Sequence, residues 1–347
     1  MSTRDVVLVG ASAGGVESLR EFVAGLPADL PATVLVVLHV PASGTGALAA
    51  ILDRCTPLPV RAAVPGEVLP RSTVLVATPD RHLMLTDDHV TLSAGPHENG
   101  HRPSIDTLFR SAARAVGPRA IGVVLSGTLD DGSAGLVALR ARGGVGVVQE
   151  PSDAIYAAMP LNAIAAADPE HVLPLAEIPA LLGKLVRETA PEAPAGTGTE
   201  LDAEIAEAGF DLGVMAGDDH PGTPSGFSCP DCAGVLWRIE DHGFLRFRCR
   251  VGHAWSAESL LHEQSAALDR ALWMALRSLE ERSALNRELG RRAEESGRRI
   301  SATRFDERAA ETAEAAHLIR HLLVGRERDD TATPRPGEPD ERSGVAG

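Results

Sequence analysis

The stretch Val6-Val7-Leu8-Val9-Gly10-Ala11-Ser12-Ala13-Gly14-Gly15 sets the architecture of this chain. A short, unbroken apolar run bounded by glycine reads as a strand buried on both faces, the kind found in parallel sheets. Gly15 to Leu26 then carries an amphipathic helical pattern, which gives a strand–turn–helix unit. The turn, Gly-x-Ser-x-Gly-Gly, admits three readings. It fits a nucleophile elbow, in which a sharp turn exposes the serine. It also fits a dinucleotide fingerprint with serine at the second glycine, or a plain glycine-rich turn.

The same unit recurs along the chain. Val34 to Leu38, Val74 to Ala77, Ile121 to Leu125 and Val145 to Val148 are further short β-branched runs. Helical patterns at Gly44 to Asp53, Ile105 to Val116 and Ser133 to Arg142 lie among them. Alternation of this kind predicts an α/β fold with a doubly wound, mainly parallel sheet over residues 1–190.

The later strands narrow the reading of the turn. A dinucleotide site needs an acidic residue at the end of the second strand to hold the ribose. That strand ends instead in His39-Val40-Pro41. A third strand runs into Ser126-Gly127-Thr128-Leu129-Asp130-Asp131-Gly132. Parallel strands present their carboxyl ends along one sheet edge, where ligands bind in open α/β sheets. Ser12, His39 and an aspartate at 130–131 therefore meet the needs of a nucleophile, a base and an acid that orients the base. The chain order Ser, His, Asp differs from the Ser, Asp, His of α/β-hydrolases.

Gly-Ala-Ser-x-Gly-Gly, His-x-Pro and Ser-Gly-x-x-x-Asp-Gly, in that order, resemble the catalytic domain of chemotaxis protein-glutamate methylesterases. The similarity continues through Arg102-Pro103-Ser104-Ile105-Asp106, Glu150-Pro151-Ser152-Asp153-Ala154 and Met159-Pro160, and covers about residues 4 to 187. The resemblance implies hydrolysis of glutamyl methyl esters on receptor helices, often with glutamine deamidation, and needs no catalytic cofactor. By position it makes Ser12 the nucleophile, His39 the base and Asp131, directly before the glycine, the acid. Asp130 is the lesser candidate. It puts the oxyanion donors at the backbone N–H groups of Ala13 and Thr128 and sets Arg102 near the substrate. The family often carries threonine at Ala13, glycine at Leu129 and acidic residues in the stretch Ala62 to Gly66. Its receiver domain has no counterpart ahead of the first strand, so the expectation is activity not gated by such a domain.

Residues 191–225 turn to Pro, Gly, Ala and acid and read as a linker, with a short helix around Leu201 to Ala208. Then come Cys229-Pro230-Asp231-Cys232 and Cys249-Arg250-Val251-Gly252-His253. Two close ligand pairs brought together by a hairpin make a four-ligand Cys3His site, closed to substrate and so structural, with zinc the expected metal. The hairpin is legible in Val235 to Glu240 and Leu245 to Arg248, turning at Asp241-His242-Gly243, in a zinc-ribbon-like module at 226–256. Arg238, Arg246, Arg248 and Arg250 suggest a local basic face on it. From 257 to 325 the pattern is helical. Leu260, Leu261, Leu268, Leu272, Leu276 and Leu279 form one stripe, and Ala309, Ala313, Ala316, Ile319, Leu322 and Leu323 form a second. These helices can pair with each other or with a second copy of the chain, as a homodimer. Residues 326–347, charged and rich in Pro and Gly, read as a disordered tail.

Bulk properties bound the function. The 347 residues carry a formal charge of -15, which argues against nucleic acid as the main partner. Four cysteines, three of them clustered, suit a metal site in a reducing compartment better than a disulfide framework. No signal-peptide profile or long apolar run is evident, so a cytoplasmic address and no membrane insertion are expected. The leading expectation is a serine esterase acting on a methylated signalling protein. The alternative is a catalytically weak adaptor working through its zinc and helical modules.

Overall fold

The computed structural model describes residues 2–193, 205, 208–209, 222–241 and 244–331. They fall into two compact units, 1–260 and 261–347. Most of the expected linker, the His242-Gly243 turn and the end of the tail lie outside the described residues.

The first unit is built on a seven-stranded, all-parallel sheet. Its strands in chain order are β1 (Val6–Ala11), β2 (Thr33–Leu38), β3 (Val60–Ala62), β4 (Thr73–Val76), β7 (Ala120–Val124), β8 (Val145–Gln149) and β9 (His171–Leu173). Their order across the sheet is β3-β4-β2-β1-β7-β8-β9. The topology reverses at β1: from it the chain goes to β2 on one side and later reaches β7 on the other. That crevice is where open α/β sheets bind ligands.

Side chains of β1 alternate between two cores. Val7 and Val9 pack with Leu19, Phe22 and Val23 of α1 (Gly15–Ala24) and with Ile178 and Leu182 of α6 (Ile178–Leu185). Val6 and Leu8 face Leu108 and Phe109 of α3 (Ile105–Ala115), Leu136 and Leu139 of α4 (Ser133–Ala141) and Met159 of α5 (Ala158–Ala167). Each such fully buried side chain contributes about 1.5–3 kcal/mol of transfer free energy. Burial on both faces explains why these strands lack polar alternation. The segment expected as a helix from Gly44 is helical only at α2 (Leu48–Asp53).

Between β4 and α3 lies an antiparallel hairpin, β5 (His82–Thr86) and β6 (His89–Ser93), whose Leu83, Leu85 and Val90 close the second core. It delivers residues 94–104 to the carboxyl edge of the sheet.

The same unit contains a four-stranded antiparallel sheet, β10 (Thr223–Ser228), β11 (Val235–Asp241), β12 (Phe244–Cys249) and β13 (Ala254–Ser256). Leu236, Phe247 and Trp255 form its small core with Cys229, Cys249 and Leu260. The expected basic face is not assembled there. Arg246 and Arg248 are 7% and 3% exposed, and Arg248 is paired with Glu98. Alternation placed both arginines on a solvent face, but both are buried, Arg248 against Glu98.

Helix α7 (Ala257–Glu295) begins at the end of this sheet, and α8 (Arg299–Thr331) follows it, entering the stretch expected as tail. In the second unit Leu272, Leu276 and Leu279 pack on Ala316, Ile319 and Leu323. That part of the stripe is satisfied within one chain, whereas Leu268 and Leu322 remain exposed. Among the described residues no helix is long and apolar enough to cross a membrane.

Candidate active site

Ser12 directly follows β1, in the turn that starts α1. Gly14 caps that helix at φ 69°, the left-handed region glycine adopts without cost. The turn is held from behind by Ser126, whose carbonyl accepts from Ser12 N–H (3.0 Å) and whose hydroxyl donates to the Ala13 carbonyl (2.9 Å). Gly127 has to be small. A Cβ there would lie 3.0 Å from Ser12 Cβ and 2.6 Å from the Met159 sulfur.

His39 follows β2, and Asp131 follows β7 just before the glycine that caps α4. The three strands are adjacent, so their carboxyl ends bring the three side chains together. His39 Nδ1 lies 3.0 Å from Ser12 Oγ, and His39 Nε2 lies 2.7 Å from Asp131 Oδ2. With Nε2–H donating to the carboxylate, Nδ1 is left as an acceptor for the serine proton. The ring is turned end for end relative to serine proteases, where Nε2 faces the serine.

Asp131 is buried and accepts four further hydrogen bonds. These come from Ile105 N–H (2.7 Å), Ser104 Oγ–H (3.0 Å), Asn99 Nδ2–H (3.1 Å) and Asp106 N–H (3.2 Å). Two of the donors are N–H groups of the first turn of α3, a favourable place for an anion. Burial opposes the charge. The His39 hydrogen bond, the neighbouring His39 and His101 rings and the Ile105 amide outweigh it and hold Asp131 below the usual carboxylate range. Burial, then the charge of Asp131, pushes the adjacent Asp106 well up.

Asp130, the lesser candidate for the acid, does not reach His39. Its Oδ1 accepts from the hydroxyls of Ser256 (2.7 Å) and Ser259 (2.8 Å).

The N–H groups of Ala13 and Thr128 have no acceptor among the described residues. Gly127 C=O accepts from Met159 N–H (3.0 Å), so the Thr128 N–H across the same trans peptide points the opposite way.

Arg102 lines an open cavity of about 440 Å³ together with His39, Pro41, His97 and His101. It is less free than the sequence suggested. Its Nε and Nη2 donate to Asp80, and Nη1 donates to the carbonyls of Ala94 (2.9 Å) and Gly95 (2.8 Å). At most one of its five N–H groups remains for a substrate, and the other four tie it to Asp80 and to the loop at Ala94 and Gly95.

Sequence reasoning missed His101, Asn99 and Ser104. The His101 ring stacks on His39 at 3.7 Å between centroids and 16° between planes. Burial first, with the His39 charge, lowers its pKa to about 4, so it stays neutral. Ser104 caps α3, a position where serine is common, but nothing in the pattern shows that its hydroxyl also serves a carboxylate 27 residues on.

The cysteine module forms a second constellation. Cys229, Cys232, Cys249 and His253 present ligand atoms that all lie within 4.8 Å of one another. His253 Nδ1 is 3.7 Å from Cys229 Sγ and 3.5 Å from Cys249 Sγ, and Cys232 Sγ is 3.6 Å from Cys249 Sγ. Tetrahedral zinc with ordinary Zn–S and Zn–N bonds sets these edges at about 3.5–3.8 Å, so the four residues fit the ion. Each pair sits on a tight knuckle, closed by Cys229 N–H to Gly234 C=O (2.7 Å) and by Cys249 N–H to His253 C=O (3.0 Å). The Asp231 carboxylate, 3.9 Å from His253 Nε2, stands where an outer partner of a metal-bound histidine belongs.

Comparison with known proteins bears on residues 7–182, which match the family model described as CheB methylesterase. A protein-glutamate methylesterase/protein-glutamine glutaminase 2 of Rhizobium johnstonii is 40% identical over 181 residues, 51% of this chain and 49% of that one. One from Bordetella parapertussis is 41% identical over 182 residues, 51% of this chain and 52% of that one. The chain thus spans about half the length of the curated relatives it matches. The crystal structure of the Thermotoga maritima CheB methylesterase catalytic domain is 31% identical, with a TM-score of 0.51, over 54% of this chain and all of that one. The family model covers about half of the chain, and the chain belongs to the CheB methylesterase family.

Proposed function

We propose that this chain is a serine esterase that hydrolyses glutamyl methyl esters on chemoreceptors or other signalling proteins. The observation that carries the reading is the unbroken relay from Ser12 Oγ through His39 to Asp131, at 3.0 and 2.7 Å.

In this mechanism His39 Nδ1 takes the Ser12 proton as Oγ attacks the ester carbonyl. The oxyanion that forms is received by the N–H groups of Ala13 and Thr128, at the positive end of α1. His39 then protonates the departing methoxide, releasing methanol and leaving a glutamyl ester on Ser12. Water, deprotonated by His39, attacks that ester and frees glutamate and Ser12. Asp131 remains ionised throughout and stabilises the charged imidazole. Glutamine would pass through the same acyl-enzyme with ammonia as leaving group.

The Cys3His cluster supports a structural zinc. With four protein ligands, zinc keeps no open position for substrate, so its chemistry is to hold the two knuckles together.

The test is methanol release from membranes carrying radiolabelled methyl esters, comparing the full chain with Ser12→Ala. Release by the wild type alone supports the assignment, and release by the serine variant sinks it. Elemental analysis should find about one zinc per chain.

A further inference from the structure

The acid end of the relay is held by the cysteine module. Asn99 donates through Nδ2 to Asp131 Oδ1 (3.1 Å) and to Asp106 Oδ2 (3.2 Å). Its Oδ1 accepts the backbone N–H of Ser256, at 2.8 Å. An amide side chain has a donor end and an acceptor end. The Ser256 N–H occupies the acceptor end, so the donor end faces the two carboxyl groups. Without that N–H the amide can turn and set its oxygen against Asp131.

The contact is wider than one bond. Asn99 N–H donates to Ala254 C=O (2.8 Å), and Ala254 N–H donates to His97 C=O (3.2 Å), so β13 adds to residues 97–99 as a short strand would. Glu98 lies beneath, fully buried between Arg110 and Arg248. Burial opposes its charge, but the two guanidinium groups together hold it ionised. Asp130 takes the hydroxyls of Ser256 and Ser259 on the other flank. A buried carboxylate of this kind needs both its partners, because an unpaired charge there costs several kcal/mol.

Residues 254–256 follow directly on His253, the last ligand of the cluster. Their register against 97–99 is therefore set by the knuckle from Cys249 to His253. The contacts fall on the acid side of the relay, while Ser12 stays partly exposed.

We propose, resting on the esterase reading above, that the zinc-loaded Cys3His module is a brace that sets turnover. It presents the Ser256 N–H that orients Asn99, and Asn99 is a positioning residue for Asp131. Metal loading then raises the rate of the chemical steps and leaves substrate binding alone. The module acts as an activator seated behind the site.

The experiment strips the full chain of zinc with a chelator and returns the ion. It follows zinc content, kcat and KM for a glutamyl methyl ester, and hydrogen exchange at the amides of Asn99, Ile105 and Asp106. Zinc loss should lower kcat roughly 10- to 100-fold, the range of one misplaced hydrogen bond to a charged group. KM should stay within about twofold, the three amides should exchange faster, and zinc should restore all of these.

Stripping can also disorder the module, so Asn99→Ala is the second probe. It should keep its zinc, show the same kcat loss at unchanged KM, and lose less than about twofold more on chelation. The brace is overturned if the stripped chain keeps its kcat or turns over faster, or if chelation costs Asn99→Ala as much as wild type. A loaded chain that hydrolyses no ester and whose Ser12 resists a fluorophosphonate defeats the esterase reading instead. The amide exchange still tests the brace in that case.

Discussion

Asp130 and Asp131, adjacent in the chain, point their carboxylates into separate hydrogen-bond sets. Asp131 accepts from His39, Asn99, Ser104, Ile105 and Asp106. Asp130 accepts from Ser256 and Ser259. One carboxylate serves the relay and the other serves the module that packs behind it.

Neutralising the two aspartates separately should therefore give opposite results. Asp131→Asn should lower kcat by roughly 10³- to 10⁴-fold, because an amide cannot fix the imidazole tautomer. Asp130→Asn keeps an oxygen for both serine hydroxyls and should stay within about threefold of wild type. Steady-state kinetics on both variants decides it, and a larger loss at position 130 would mean the acid is misassigned.

Asp130 also makes stability depend on pH. Burial first raises its pKa to about 6, with the Glu258 and Asp131 charges adding and the two serine hydroxyls partly offsetting. Unfolded, it titrates at about 3.9. The folded state thus binds the extra proton between these values. The stability this group contributes is full below about pH 4 and is lost as pH rises through about 6. The melting temperature of wild type relative to Asp130→Asn should fall between pH 4 and pH 7.5. A difference that stays flat would rule out the buried carboxyl as the cause.

The His101 ring stacked on His39 gives a further prediction. With its pKa near 4 it adds no charge change above pH 5, so the acid limb of kcat/KM should report one ionisation there. His101→Phe preserves the stack and should retain most activity. His101→Ala should lose roughly 3- to 10-fold, the worth of one ring pair. A pH–rate profile falling with a slope of two in wild type would contradict this.

Leu129 sits at φ 60° in the turn between Thr128 and Asp130. A leucine in that region costs about 1–2 kcal/mol, partly offset by the lower backbone entropy cost relative to glycine. Leu129→Gly should be neutral or stabilise by up to about 1 kcal/mol. Leu129→Val, β-branched, should destabilise by at least about 1 kcal/mol. A denaturant midpoint for Leu129→Gly below wild type, or one for Leu129→Val at or above it, would defeat the strain argument.

Much of the fold was legible because buried parallel strands and glycine turns are local signals. The runs at Val6, Val34, Ile121 and Val145 each became a strand of the sheet. The β5–β6 hairpin was missed although Leu83 and Leu85 alternate with His82, Met84 and Thr86 across an Asp87-Asp88 turn. Its absence from the sequence reading hid how residues 94–104 reach the site. Ser12, His39 and Asp131 could be assigned from strand ends. Asn99 and Arg248 could not, because each gains its meaning from a contact across a long stretch of chain, and alternation alone put Arg248 in solvent.

Glu98 ties the histories of the two halves of this unit together. A descendant that sheds residues beyond 222 would keep a carboxylate built for two guanidinium partners and have only Arg110 left. Such a lineage must change position 98, whereas one that keeps the cysteines is constrained to keep the acid and Arg248 as a pair. Among related genes, a glutamate at this position should travel with the cysteine module and be replaced where the module is missing.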